Sequence, residues 1–105
     1  MLVTNRFAPG DILGLKLVNG DEILAKLVVE NATEFEVTKP FAIVPSQNGV
    51  ALMNAMFTMS QDYAKPVIIK KEHVMMACEA EGRLASHYLE TTTGIQTVTK
   101  GSIIT

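Results

Sequence analysis

Residues 15–44 read LKLVNGDEILAKLVVENATEFEVTKPFAIV, and the alternation within them decides the fold. Leu13, Leu15 and Leu17 fall on one face of an expected strand from Asp11 to Val18, with Gly14 and Lys16 on the other. Asn19-Gly20 follows as a hairpin turn, because both residue types tolerate the positive φ of a type I′ turn. The second strand, Glu22 to Val29, points Ile23, Ala25, Leu27 and Val29 inward. Its outward face carries Glu22, Lys26 and Glu30, but also Leu24 and Val28. After a short turn at Asn31-Ala32-Thr33, a third strand from Glu34 to Val44 sets Phe35 and Val37 inward against Glu34, Glu36 and Thr38. Lys39-Pro40 interrupts it, and since proline has no N–H for the ladder, a bulge or bend is expected there.

Outward from this stretch, Ser46-Gln47-Asn48-Gly49 makes the next turn. The fourth strand, Val50 to Met59, alternates Ala51, Met53, Ala55, Phe57 and Met59 with Val50, Leu52, Asn54, Met56 and Thr58. Both faces are largely apolar, unlike an antiparallel strand with one wet side. A polar loop from Ser60 to Lys65 and then Pro66 lead to a fifth strand, Val67 to Ile69. A tight turn at Lys70-Lys71-Glu72 precedes another extended run, His73 to Cys78. From Glu81 the period becomes helical: Leu84, Ala85, Tyr88 and Leu89 form one apolar stripe, with Arg83, His87 and Glu90 elsewhere. Gly94 suits the position just past the helix end. The expected fold is mostly β: a small, strongly bent, five-stranded antiparallel barrel over residues 1–80, with a C-terminal helix and tail over residues 81–105.

Composition bounds the function. At 105 residues, 48% hydrophobic and 19% charged, the chain fits one domain and excludes disorder. It also carries more apolar side chain than so small a domain can bury, which points to association with another copy. Nine Lys and Arg against eleven Asp and Glu give a net charge of −2, so no global field attracts nucleic acid or an anionic membrane. The single cysteine, Cys78, reads as a buried small hydrophobe and suits a reducing compartment. The start, MLVTNRFAPG, is broken by Pro9-Gly10 and does not read as a secretory signal. No run approaches the ~18 apolar residues of a spanning helix, and a cytoplasmic location is expected. His73, His87 and Cys78 lack metal-ligand spacing, and Asp21, Glu22, Glu30, Glu34 and Glu36 spread outward without forming an enclosed carboxylate pair. With no Gly-rich phosphate loop and no Ser/His/Asp arrangement, an enzyme, a cofactor and a metal are all unexpected.

The run quoted above resembles the first motif of the Sm-like (LSm) family: a hairpin through an N-G turn, a hydrophobic strand, a short loop and a bent third strand. VIIKKEHVMM, residues 67–76, resembles the second motif, whose usual form is an apolar pair, Arg-Gly, two residues and an apolar strand. The likeness spans residues 11 to 78 and is nearest to the divergent members of bacteriophage genomes. It implies a closed homo-oligomeric ring of five to seven copies, in which the fourth strand of one pairs with the fifth of the next. Met53, Met56, Phe57, Val67 and Ile69 would then lie at that interface, where the methionines, Met75 and Met76 included, suit an adaptable contact. It also implies single-stranded RNA at a central pore lined by Asn31, Lys70, Lys71 and His73, where repetition around a ring amplifies weak contacts. Two departures favour a structural or protein-interaction ring that has lost the RNA site, such as a phage assembly or host-interaction factor. Phe35 stands where the family has a loop Asn, and Lys70-Lys71 stands where it has Arg-Gly.

Overall fold

The computed structural model describes residues 6–47, 49–55, 65–92 and 102–104, the last three by their backbone alone. The strands are β1 (Ile12–Leu17), β2 (Glu22–Glu30), β3 (Glu34–Ser46), β4 (Gly49–Asn54), β5 (Val67–Lys70), β6 (Val74–Glu79) and β7 (Ser102–Ile104). A 3-10 turn, Lys71–His73, joins β5 to β6, and one helix, α1 (Gly82–Thr92), lies between β6 and β7. All pairings are antiparallel, in the order β6-β1-β2-β3-β4-β7, with β5 also on β3. The mostly β, antiparallel character with a C-terminal helix is as the sequence pattern predicts. The expected five-stranded closure is not what the ladders form: among the described residues, seven strands make a sheet whose hydrogen-bonded path is open. The reason lies at the 3-10 turn, where consecutive strands part company, β5 pairing with β3 and β6 with β1.

The first hairpin turns by a different geometry from the one its Asn-Gly predicts. Gly20 has φ 97°, but Asn19 does not share a positive φ, so the turn is not type I′. Gly20 N–H instead donates to the Leu17 carbonyl at 2.9 Å, and Leu17 N–H to the Asp21 carbonyl at 2.8 Å. This is a type I turn closed by a left-handed glycine, the next most common way to join two strands. The Asn19 side-chain oxygen accepts from Asp21 N–H at 3.0 Å and holds the turn in that form.

Two irregularities shape β2 and β3. Leu24 faces Phe41 while Lys26 faces Thr38, so β3 has one extra residue, at the Lys39-Pro40 step. Lys39 adopts φ 54° there, which places the expected bulge at the proline. Further along, Leu27 faces Val37 and Val29 faces Glu36, so the extra residue now lies in β2, at Val28. That second bulge reverses the in–out phase: Val29 is 40% exposed and Glu30 is buried, opposite to the simple alternation. β4 and β5 lie along the same side of β3, Asn54 facing Phe41 and Val67 facing Val37. They run as one strand in two pieces; of the expected fourth strand, Met56, Phe57 and Met59 lie outside the described residues.

Alternation along β2 splits the core between two sheet faces. One face gathers Leu13, Leu15, Ile23, Ala25, Leu27, Phe35 and Val37. The other gathers Leu24, Phe41 and Leu52 under Tyr88 of α1. The second apolar face of β2 and β4 is therefore covered, in part, by the chain's own helix. Glu81 starts that helix, its carboxylate accepting from the N–H of Arg83 at 2.7 Å and of Leu84 at 3.4 Å. α1 extends through Thr92, whose hydroxyl donates back to the Tyr88 carbonyl at 2.9 Å. The stripe is narrower than its spacing predicts, since Tyr88 is fully buried while Leu89 is 42% exposed. Tyr88 also fixes the β3 bulge, its hydroxyl donating to the Lys39 carbonyl at 2.7 Å, with the Thr38 carbonyl at 3.2 Å. Burial pushes its phenol well above the ordinary value.

Candidate functional site

The 3-10 turn bridges two other turns, which lie at opposite ends of β2. Lys71 N–H donates to the Thr33 carbonyl at 2.9 Å, tying the 3-10 turn to the β2–β3 turn. Val18 N–H donates to the His73 carbonyl at 2.9 Å, tying the same 3-10 turn to the first hairpin. Asn31, Lys70, Lys71 and His73 are thereby gathered in one region of the surface. Most of their polar groups have partners within the chain. The Asn31 side-chain oxygen accepts from the N–H groups of Thr33 at 3.1 Å and Glu34 at 3.0 Å, an Asx turn that sets the β2–β3 connection. Lys70 faces Glu34 across the ladder and lies 3.5 Å from its carboxylate. His73 is exposed, its Nε2 3.9 Å from the Glu72 carboxylate.

Lys71 is the most enclosed of the four. Its ammonium donates to Glu30 Oε2 at 2.7 Å and sits 5.1 Å from the centre of the Phe35 ring. Glu30 Oε1 accepts from the N–H groups of Arg6 at 3.0 Å and Phe7 at 3.2 Å. Burial alone would raise the Glu30 carboxyl; the hydrogen bonds from Lys71, Phe7 and Arg6 outweigh it and hold the group below its ordinary value. Sequence reasoning placed Glu30 outward because the Val28 bulge is invisible to a strict period of two. No residue nearby signals the bulge, since Val28 and Val29 fit either face and no Gly or Pro accompanies them. Phe35 supplies the apolar wall and ring face for the Lys71 side chain.

No protein-family model matches the sequence, and no curated protein matches it.

The surface with the most unusual chemistry is β6. Among the described residues it has one ladder partner, β1, so its other edge is unpaired. Met75 is 61% exposed and Met76 65%, and Ala77 and Cys78 are exposed beside them. Cys78, expected inside, is exposed: among the described residues β6 is an edge strand paired with β1 alone. An open recess of about 250 Å³ lies beside β6, walled by Phe7, Phe35, Lys71 and Met75. A second, of about 390 Å³, is lined by Gly14, Lys16, Glu22, Met76 and Cys78. Of the other expected interface residues, Met53 is 43% exposed, whereas Val67 and Ile69 pack against the larger core cluster. Met56 and Phe57 lie outside the described residues. Among the described residues, no three His, Cys, Asp or Glu side chains gather as a metal-ligand set, and no helix is long and apolar enough to cross a membrane.

Proposed function

We propose that the chain is a divergent Sm-like subunit that assembles with copies of itself through strand edges and acts as a non-enzymatic scaffold for protein contacts. The observation that carries this reading is β6, an edge strand with Met75, Met76, Ala77 and Cys78 exposed. Edge strands that stay single are guarded by Lys, Pro, bulges or covering loops. β6 reads VMMACE and has neither Lys nor Pro; of these guards it has a single bulge, at Met75, where Lys16 faces Met76 and Leu17 faces Val74. Light scattering across low to high micromolar concentration tests it: the expected mass exceeds one chain, and Met76→Lys lowers it while the circular dichroism of the sheet persists. A single-chain mass throughout that range overturns the reading.

A second reading, single-stranded RNA binding, is favoured by the convergence of Asn31, Lys70, Lys71 and His73 on one region of the surface. Two of its cations are already matched by carboxylates, Lys70 by Glu34 and Lys71 by Glu30, which makes it the weaker of the two. Lys70, with its side chain 57% exposed, and His73 are the groups open to a phosphate or a base. Fluorescence anisotropy with short U-rich and A-rich oligonucleotides decides it. Binding that weakens with Lys70→Ala and loses part of its salt dependence supports it; no binding at low salt and high micromolar protein removes it.

A further inference from the structure

The two ends of the strand order are not alike. At one end stands β6, six residues long and, among the described residues, unpaired on its outer side. At the other, β4 carries an added strand of three residues, β7, in the register Val50↔Ile104, Ala51↔Ile103 and Leu52↔Ser102. Residues 93–101 join this strand to α1. Three residue pairs are a small ladder, and so short an outermost strand is one of the devices by which proteins blunt a sheet edge.

The number of usable edges sets what an edge-pairing subunit can build. A subunit with one long edge can pair that edge with its own copy in a two-fold contact, and assembly stops at two chains. A subunit with two different edges can pair head to tail, and the contact then propagates into a ring or a filament. We infer that β7 is a displaceable cap on β4 that limits the chain to pairing through β6, and that its release exposes the second edge needed for a higher assembly. This inference rests on the edge-pairing reading given above. It adds that the chain contains its own competitor for the contact. The outward backbone groups of Val50 and Leu52 bond either to β7 or to the strand of another copy, and not to both, while those of Ala51 turn inward to Val44 of β3.

The test uses the full-length chain in three forms, each sized by light scattering at the same series of concentrations. A Cys78→Ser chain serves as reference. In that background, Ile104→Pro removes the β7 donor opposite Val50, whose backbone groups face β7 rather than β3, and so weakens the cap. Also in that background, Ala51→Cys with Ile103→Cys places two thiols at directly opposed positions, so mild oxidation locks the cap shut and a reductant reopens it. The expected results are a higher assembly for Ile104→Pro than for the reference, and at most two chains for the oxidised lock, reversed on reduction. A reference that assembles beyond two chains, with an oxidised lock of equal mass, overturns the cap and leaves edge pairing standing. A reference of two chains unchanged by Ile104→Pro does the same. If the reference and Ile104→Pro both remain single chains, the cap and edge pairing fall together.

Discussion

A carboxylate whose side chain is 4% exposed has lost most of its hydration, and Glu30 is compensated by Lys71 and by the N–H groups of Arg6 and Phe7. With the folded pKa held below the ordinary 4.5, the folded state binds fewer protons than the unfolded chain in the acid range. The stabilisation is therefore complete above the unfolded value and is lost as pH falls through the folded one. Glu30→Gln removes this dependence. Urea denaturation from pH 6 down to pH 3 is expected to show a shallower loss of stability below about pH 4.5 in the variant than in the parent. At neutral pH the variant is expected to be less stable by roughly 1–3 kcal/mol, since an amide replaces a charged acceptor. Parallel acid limbs for the two proteins would assign the acid response to other carboxylates.

At the scale of elements, the bend in β3 is held from two sides. Lys39 occupies a left-handed conformation that costs an L-residue roughly 1–2 kcal/mol, and the Tyr88 hydroxyl secures its carbonyl. Lys39→Gly relieves the strain but enlarges the unfolded ensemble, for a net gain of about 0.5 kcal/mol, whereas Lys39→Val is expected to destabilise by more than that. Tyr88→Phe keeps the ring, 6.0 Å from Phe41, but leaves the carbonyl without its donor, at a cost of about 1 kcal/mol. Chemical denaturation of the three variants checks the order Gly, parent, then Phe and Val. These elements also show what a sequence can reveal. The β3 bulge was legible because a proline cannot serve a central ladder. The β2 bulge at Val28 was not, for no Gly or Pro accompanies it and valine fits either phase; the burial of Glu30 and the enclosure of Lys71 were lost with it. The two apolar faces of the fourth strand were legible as a pattern. Their partners were not, because a period of two says that a face is covered without saying whether a helix or another copy covers it. Leu52 answers with Tyr88, while Met53 on the next position stays 43% exposed.

For the whole molecule, the excess of apolar side chain over what 105 residues can bury divides into two parts. Leu24, Phe41 and Leu52 are enclosed beneath α1, which is why the helix belongs to the folding unit. Met75 and Met76 stay at the open edge of β6, where a second chain could cover them. If that edge pairs with another copy, association and folding are one equilibrium, and thermal stability must depend on protein concentration. Tenfold more protein adds about 0.7 kcal/mol per chain to a dimer, which for a domain of this size raises Tm by roughly 3–5 °C. Met76→Lys places a charge in the contact and is expected to flatten that dependence, with its Tm matching the parent's at the dilute end. Leu24→Ala probes the other part: it removes buried volume under α1, so it is expected to lower Tm at every concentration while keeping the parent's slope. A flat parent curve would mean that β6 stays unpaired in this range and that its methionines do not mediate self-association there. A lost slope in Leu24→Ala would mean that the helix-covered face and the edge do not act separately.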